Sequence, residues 1–158
     1  MNASDRITRT VLYALIIAVI VSGANLSVRV WQRLHPSFLS PTVPQINQAI
    51  DLVHESGDAQ VLSFRRPGVA GKIYLVNPYA SVAADGTLDA KLSERITREA
   101  TQEGGCRLYY VAGGKIVDQA MLNGLASAKT GSAEASHFRI KISKERASGR
   151  PVLMQFLE

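Results

Sequence analysis

Residues 11–28 (VLYALIIAVIVSGANLSV) form a predominantly apolar stretch of eighteen residues without a single charge. As a helix that rises about 1.5 Å per residue, this stretch would be about 27 Å long. That length is close to the roughly 30 Å thickness of the hydrocarbon core of a bilayer. The stretch therefore predicts a transmembrane helix with a juxtamembrane extension over residues 11–34, preceded by a short tail at residues 1–10.

The residues that flank this stretch are of the types found at membrane interfaces. Arginine extends its charged head to the headgroups while its stem stays apolar, and tryptophan favours the interfacial belt. The predicted interface anchors are Arg9, Arg29, Trp31 and Arg33. Ala14, Ala18 and Ser22 recur every four residues, so they form a candidate packing face for another membrane helix. Through this face the chain can form a homo-oligomer, and ordinary alanine content of an apolar helix is the alternative.

A cleaved signal peptide is the competing interpretation. The basic start, the apolar run and the small residues that end at Ala24 fit a cleavage site. Retention is favoured because apolar character continues to Trp31 and no proline occurs before Pro36. The positive charge on the two sides is almost balanced, and a short N-terminal tail usually stays in the cytoplasm. The prediction is a single-pass protein of the inner (plasma) membrane with its C-terminal domain on the extracytoplasmic side.

The net charge of +5 is concentrated around the membrane segment. Four arginines and one aspartate precede residue 36, a net charge of +3, whereas fourteen cations and twelve anions follow, a net charge of +2. Basic residues beside a membrane segment suit anionic lipid headgroups. Membrane lipid is therefore a predicted partner, and nucleic acid is not favoured.

Three prolines within residues 35–44 predict an extended spacer, because proline does not continue a helix and disfavours helix at the residue before it. Residues 45–158 then form the predicted domain. Apolar residues with helical spacing predict one helix that ends at Gly57 and a second that begins at Thr87 and ends at Gly104. Apolar runs predict strands over residues 60–64, 72–76, 106–112, 115–120, 137–142 and 152–157. Residues 121–136 are rich in Ala, Ser and Gly and predict a loop or a short helix.

This order of elements predicts an α+β domain in which two helices cover a mostly antiparallel sheet of about six strands. Two strands joined by Gly113-Gly114 indicate a tight hairpin. The domain is long enough to bury a hydrophobic core.

The residues indicate no catalytic, cofactor or metal site. The three histidines have no second ligand at the spacing of a zinc site, and residues 68–72 (GVAGK) lack the first glycine and the final Ser or Thr of a phosphate-binding loop. The single cysteine, Cys106, is expected to be a small buried residue. We expect a protein that is not an enzyme.

Five cations lie within twelve residues near the C-terminus, with one acid between them. They are Arg139, Lys141, Lys144, Arg146 and Arg150. They form a candidate patch for a protein partner or for lipid headgroups. The alternative is a charged exterior that protects an edge strand from mispairing.

These features favour an assembly, scaffold or interaction subunit of a cell-envelope complex, of secretion, conjugation or pilus type, with other protein subunits as partners. A cleaved, secreted binding or inhibitor protein and a small hydrolase are the alternatives. A cytoplasmic domain that meets nucleic acid or inner-leaflet lipid is a further one.

Overall fold

Residues 37–144 and 152–157 are described by a computed structural model of the chain. They contain two helices and eight strands in the order α-β-β-α-β-β-β-β-β-β. The elements are α1 (Val43–Ser56), β1 (Gln60–Arg65), β2 (Lys72–Val76), α2 (Ala90–Glu103), β3 (Arg107–Ala112), β4 (Lys115–Met121), β5 (Ala126–Ala128), β6 (Gly131–Glu134), β7 (His137–Lys144) and β8 (Val152–Leu157). The predicted tail and the predicted membrane helix lie outside the described residues.

The two helices follow the apolar spacing of the sequence. Ile46, Ala49, Ile50 and Val53 of α1 are buried on one stripe, and the helix ends at Gly57, whose φ of 81° favours glycine. The second helix begins two residues later than predicted. Asp89, rather than Thr87, is its N-cap, and its carboxylate accepts the Leu92 N–H at 2.7 Å.

The α+β class is confirmed, but the prediction of a single sheet with about six strands is wrong. The strands form two four-stranded sheets, a first sheet in the order β1-β7-β8-β5 and a second in the order β4-β3-β2-β6. All pairs are antiparallel except β5 with β8. The extra strands, β5 and β6, lie where the sequence predicted a loop or a short helix. Their Ala, Ser and Gly side chains are too small to produce an apolar alternation that marks a strand.

The second sheet is buried on both faces at its centre. Ile73 and Leu75 of β2 belong to the main core, whereas Tyr74 and Val76 belong to a second cluster with Ile96 and Ala100 of α2. A strand that is buried on both faces has a nearly continuous run of apolar residues in its sequence. The sequence of β2, KIYLV, has such a run.

Among the residues that the structure describes, the first sheet is covered on one face. Phe138, Ile140 and Ile142 of β7 are at most 2% exposed and join the main core with α1, which packs against β7, β1 and β8. The residues between them on β7 point to the opposite face. That alternation is the one the sequence predicted.

Residues 38–42, which the sequence placed in the spacer, pack against the described domain. Leu39 is 1% exposed within the main core, and its N–H donates to Asp118 Oδ2 at 2.8 Å. Phe38 stacks on Tyr110 with a distance of 4.1 Å between ring centroids. Arg66 donates to the Phe38 carbonyl and, at 2.7 Å, to Thr42 Oγ1. Residues from Phe38 onward therefore belong to one compact unit.

Candidate functional site

The predicted basic patch is divided by the alternation of β7. Arg139 and Lys141 lie on the face of the first sheet opposite the core. Lys144 is an odd number of residues away from them along the strand, so its side chain leaves from the other face. The Lys144 ammonium donates to the His54 carbonyl at 3.3 Å, at the end of α1. A cation is favoured there because the carbonyl end of a helix carries partial negative charge. Arg146 and Arg150 lie outside the described residues.

A cation that the sequence analysis missed joins Arg139 and Lys141. Antiparallel pairing places Ser63 of β1 opposite Arg139 and Val61 opposite Lys141. Arg65, two residues after Ser63, projects from the same face and is diagonal to Arg139, a separation of about 7–8 Å between Cα atoms. Arg65 lies more than seventy positions before Arg139 in the chain, so only the register of β1 with β7 could have revealed it.

We call this surface the basic face. Its members are Val61, Ser63, Arg65, Arg139, Lys141 and Leu157. Val61 is 49% exposed. Arg139 pairs with Ser63 on one side and with Leu157 of β8 on the other, so β7 is an internal strand. Protection of an edge strand therefore does not explain the cations at Arg139 and Lys141.

A cleft of about 720 Å³ adjoins the basic face, where β6 passes the ends of β7 and β8. Lys129, His137 and Arg139 line it together with one acid, Glu134. Phe156 contributes an apolar wall. The cleft thus offers two cations, one carboxylate and an imidazole to an incoming ligand.

A second groove lies between α2 and β4, with a volume of about 570 Å³. Leu92 and Arg95 of the helix line one side, and residues 114–119 line the other. We call it the β4 groove. Within the part of the chain that the structure describes, β4 is an edge strand that pairs only with β3, and it exposes 59% of Val117 and 50% of Met121. Such an edge presents unpaired backbone groups to an additional strand.

Asp85, in the loop that precedes α2, accepts several hydrogen bonds. Its carboxylate accepts hydrogen bonds from the Tyr74 hydroxyl at 2.9 Å, from Lys72 Nζ at 3.0 Å, and from two backbone N–H groups at 3.1 Å. Burial by itself raises the pKa of Asp85, but the bonds from Lys72, Leu88, Tyr74 and Thr87 outweigh it and lower the pKa to about 2. Burial, with the neighbouring carboxylate of Asp85, raises the pKa of Tyr74. The neutral Tyr74 hydroxyl and the ionised Asp85 carboxylate are therefore held together by a hydrogen bond that links the loop before α2 to β2.

Cys106 is 1% exposed, and its thiol lies 3.4 Å from the Ala126 carbonyl, so the expected buried cysteine is confirmed. Among residues 37–144 and 152–157, no three His, Cys, Asp or Glu side chains are arranged to hold a metal ion. No helix within those same ranges is long and apolar enough to cross a membrane. The candidate helix-packing residues Ala14, Ala18 and Ser22, and all four predicted interface anchors, lie outside the ranges.

Comparison with protein-family models, with curated proteins and with solved structures finds no match to this chain.

Proposed function

We propose that this chain is a single-pass, membrane-anchored subunit of a cell-envelope complex that acts by binding other proteins rather than by catalysis. Residues 11–34 are the anchor, and the domain that begins at Phe38 is on the extracytoplasmic side of the inner (plasma) membrane. The charge-free apolar stretch and the arginines that flank it support the anchor.

The observation that carries the binding role is the outer edge of β4, which among the described residues pairs with β3 alone. Asp118 of this strand accepts the Leu39 N–H, whereas the exposed Val117 and Met121 leave apolar surface beside the β4 groove. In strand addition, main-chain hydrogen bonds provide affinity and pockets for alternate side chains provide specificity. The occupant that fits is an extended segment of another envelope subunit, with an apolar side chain directed toward Leu92 and Ile116.

Site-specific photocrosslinking in intact cells tests the binding role. A photoreactive amino acid replaces Val117 in the full chain, and the matched control replaces Leu52, which is 48% exposed on α1. We expect Val117 to crosslink to one defined segment of a membrane-complex subunit, identified by mass spectrometry, and Leu52 not to do so. Crosslinks of equal yield at both positions, or none at Val117, would contradict strand addition at β4.

The intact mass of the chain purified from membranes tests the anchor. We expect the mass of a chain that retains residues 11–34 and floats with membranes after alkaline extraction. A mature protein that begins at Asn25 and is released from membranes would instead support the secreted binding protein.

A further inference from the structure

The basic face has no structural partner among residues 37–144 and 152–157. α1 covers the opposite face of the first sheet, and α2 covers the second sheet. Ser63, Arg65 and Arg139 are all exposed. The face is therefore available to a surface outside the domain.

The charge on this face has one sign. Arg65, Arg139 and Lys141 project from it, and the outward positions of β1, β7 and β8 hold no acidic residue in the described part of each strand. Glu134 of β6 lines the adjoining cleft together with Arg139. A cationic surface of this kind attracts an anionic one, and screening by salt weakens that attraction.

The apolar members of the face narrow the choice of partner. Val61 is paired directly opposite Lys141, and Leu157 directly opposite Arg139. Apolar side chains interleaved with basic ones are typical of surfaces that lie in the headgroup region of a bilayer, where basic residues contact phosphates and apolar ones enter the acyl boundary.

The start of the fold sets how far the domain extends from the membrane. The predicted membrane segment ends at residue 34, and the folded unit begins at Phe38. Even fully extended, the four intervening steps of the chain span at most about 14 Å. A tether of this length keeps the domain within reach of the headgroups of the bilayer that holds the predicted anchor.

We propose that the basic face binds the anionic phospholipid headgroups of the bilayer in which the chain is anchored. This inference rests on the membrane anchor of the proposed function. With the basic face on the lipid, α1 lies on the opposite side of the first sheet.

Headgroup quenching in proteoliposomes tests the inference with the full chain. A fluorophore is attached at Ser63→Cys in the centre of the face, or at Leu52→Cys on α1 as the control, while buried Cys106 stays unlabelled. The vesicles contain phosphatidylcholine with a headgroup spin label, with or without phosphatidylglycerol. We expect loss of fluorescence at Ser63→Cys in vesicles with phosphatidylglycerol, reversal of that loss by high salt, and no loss at Leu52→Cys.

A charge-reversal variant shows whether the cations cause the contact. The variant Arg65→Glu, Arg139→Glu, Lys141→Glu should abolish the quenching at Ser63→Cys. The control Lys91→Glu, Arg98→Glu, Gln48→Glu, Gln102→Glu changes the net charge equally, at exposed positions on the two helices away from the basic face and from the β4 groove, and should preserve it.

The outcomes separate this inference from the proposed function. Chain that floats with the vesicles after alkaline extraction but shows equal quenching at Ser63→Cys and Leu52→Cys would overturn the lipid contact alone. Quenching that survives the charge reversal of the face would do the same. Chain that fails to float would overturn the anchor, and the lipid contact with it.

Discussion

At the residue scale, Gly71 directly precedes β2, where β3 and the turn after β6 approach its backbone. Its φ is 103°, and a Cβ built there would lie 2.3 Å from the Val111 carbonyl oxygen of β3. The Gly71 carbonyl also accepts the Ala135 N–H at 2.9 Å. Only a residue without a side chain satisfies the backbone conformation and the close approach together.

Replacement of Gly71 can be compared with replacement of Gly68, which has a φ of 81° but no atom within 4 Å of the added Cβ. We expect Gly68→Ala to cost about 1 kcal/mol of unfolding free energy from backbone strain alone. Gly71→Ala should cost at least about 2 kcal/mol more, because strand backbone must move to admit the methyl group. Urea denaturation followed by near-ultraviolet circular dichroism measures both, and equal costs would show that the close approach is unimportant.

The division of the basic patch is also decided residue by residue. Arg139 and Lys141 share a parity on β7, whereas Lys144 does not and instead contacts the end of α1. In a strand, adjacent side chains point to opposite faces, so nearness in sequence does not bring cations to one surface. The basic face therefore has two sources. The local sequence of β7 supplies Arg139 and Lys141, and the register of β1 with β7 adds Arg65.

At the scale of elements, Asp85 joins the loop before α2 to the side of β2 that the helix covers. Its carboxylate binds Tyr74 and Lys72 of the strand and the N–H groups of Thr87 and Leu88 in its own loop. The turn at Asp85-Gly86 is thus part of the packing of α2 on the second sheet.

The lowered pKa of Asp85 predicts a pH dependence of stability. The pKa falls from the ordinary 3.8 to about 2 in the folded protein, so the contribution is fully present above about pH 4 and is lost as the pH falls toward 2. At about 1.4 kcal/mol per pKa unit the full shift would be worth about 2 kcal/mol, and solvent screening at this exposed residue reduces the contribution to about 1 kcal/mol. Urea denaturation should show a stability difference between wild type and Asp85→Asn that is largest at pH 5 and shrinks toward pH 2. A difference that stays constant over this range would contradict the prediction.

At the scale of the whole molecule, residues 38–42 pack on the main core of the domain. Leu39 belongs to the same cluster as Ile50 of α1, Leu75 of β2 and Phe138 of β7, and therefore touches a core shared by both sheets. Arg66 and Asp118 hold the segment by its backbone carbonyl and N–H. A segment near the predicted membrane anchor is thus fastened directly into the fold.

Leu39→Ala tests this packing. We expect it to lower the free energy of unfolding by about 3 kcal/mol, since the change leaves a cavity in a packed core. Leu52→Ala is the matched control on a half-exposed leucine, and it should cost less than about 1 kcal/mol. If urea denaturation gives the same cost for both variants, residues 38–42 are not part of the cooperative unit.

The elements with strong periodic signals could be predicted from the sequence. The stripe of α1, the alternation of β7 and the Gly113-Gly114 hairpin each depend on residues near one another in the chain, and the structure has all three. β5 and β6 were not predicted, because small side chains do not produce the alternation of apolar and polar residues that indicates a strand. The pairing of β5 with β8, which is parallel, joins segments more than twenty residues apart.

The sequence alone determined the positions of both helices and six of the strands, the burial of Cys106 and the α+β class. Those properties follow from local apolar spacing and from the turn residues between elements. Only the tertiary structure decided that there are two sheets, that Leu39 belongs to the core and that Arg65 joins Arg139 and Lys141 on one face. The physical reason is that strand order and register depend on contacts between distant segments, which the side-chain periodicity of a single segment does not encode.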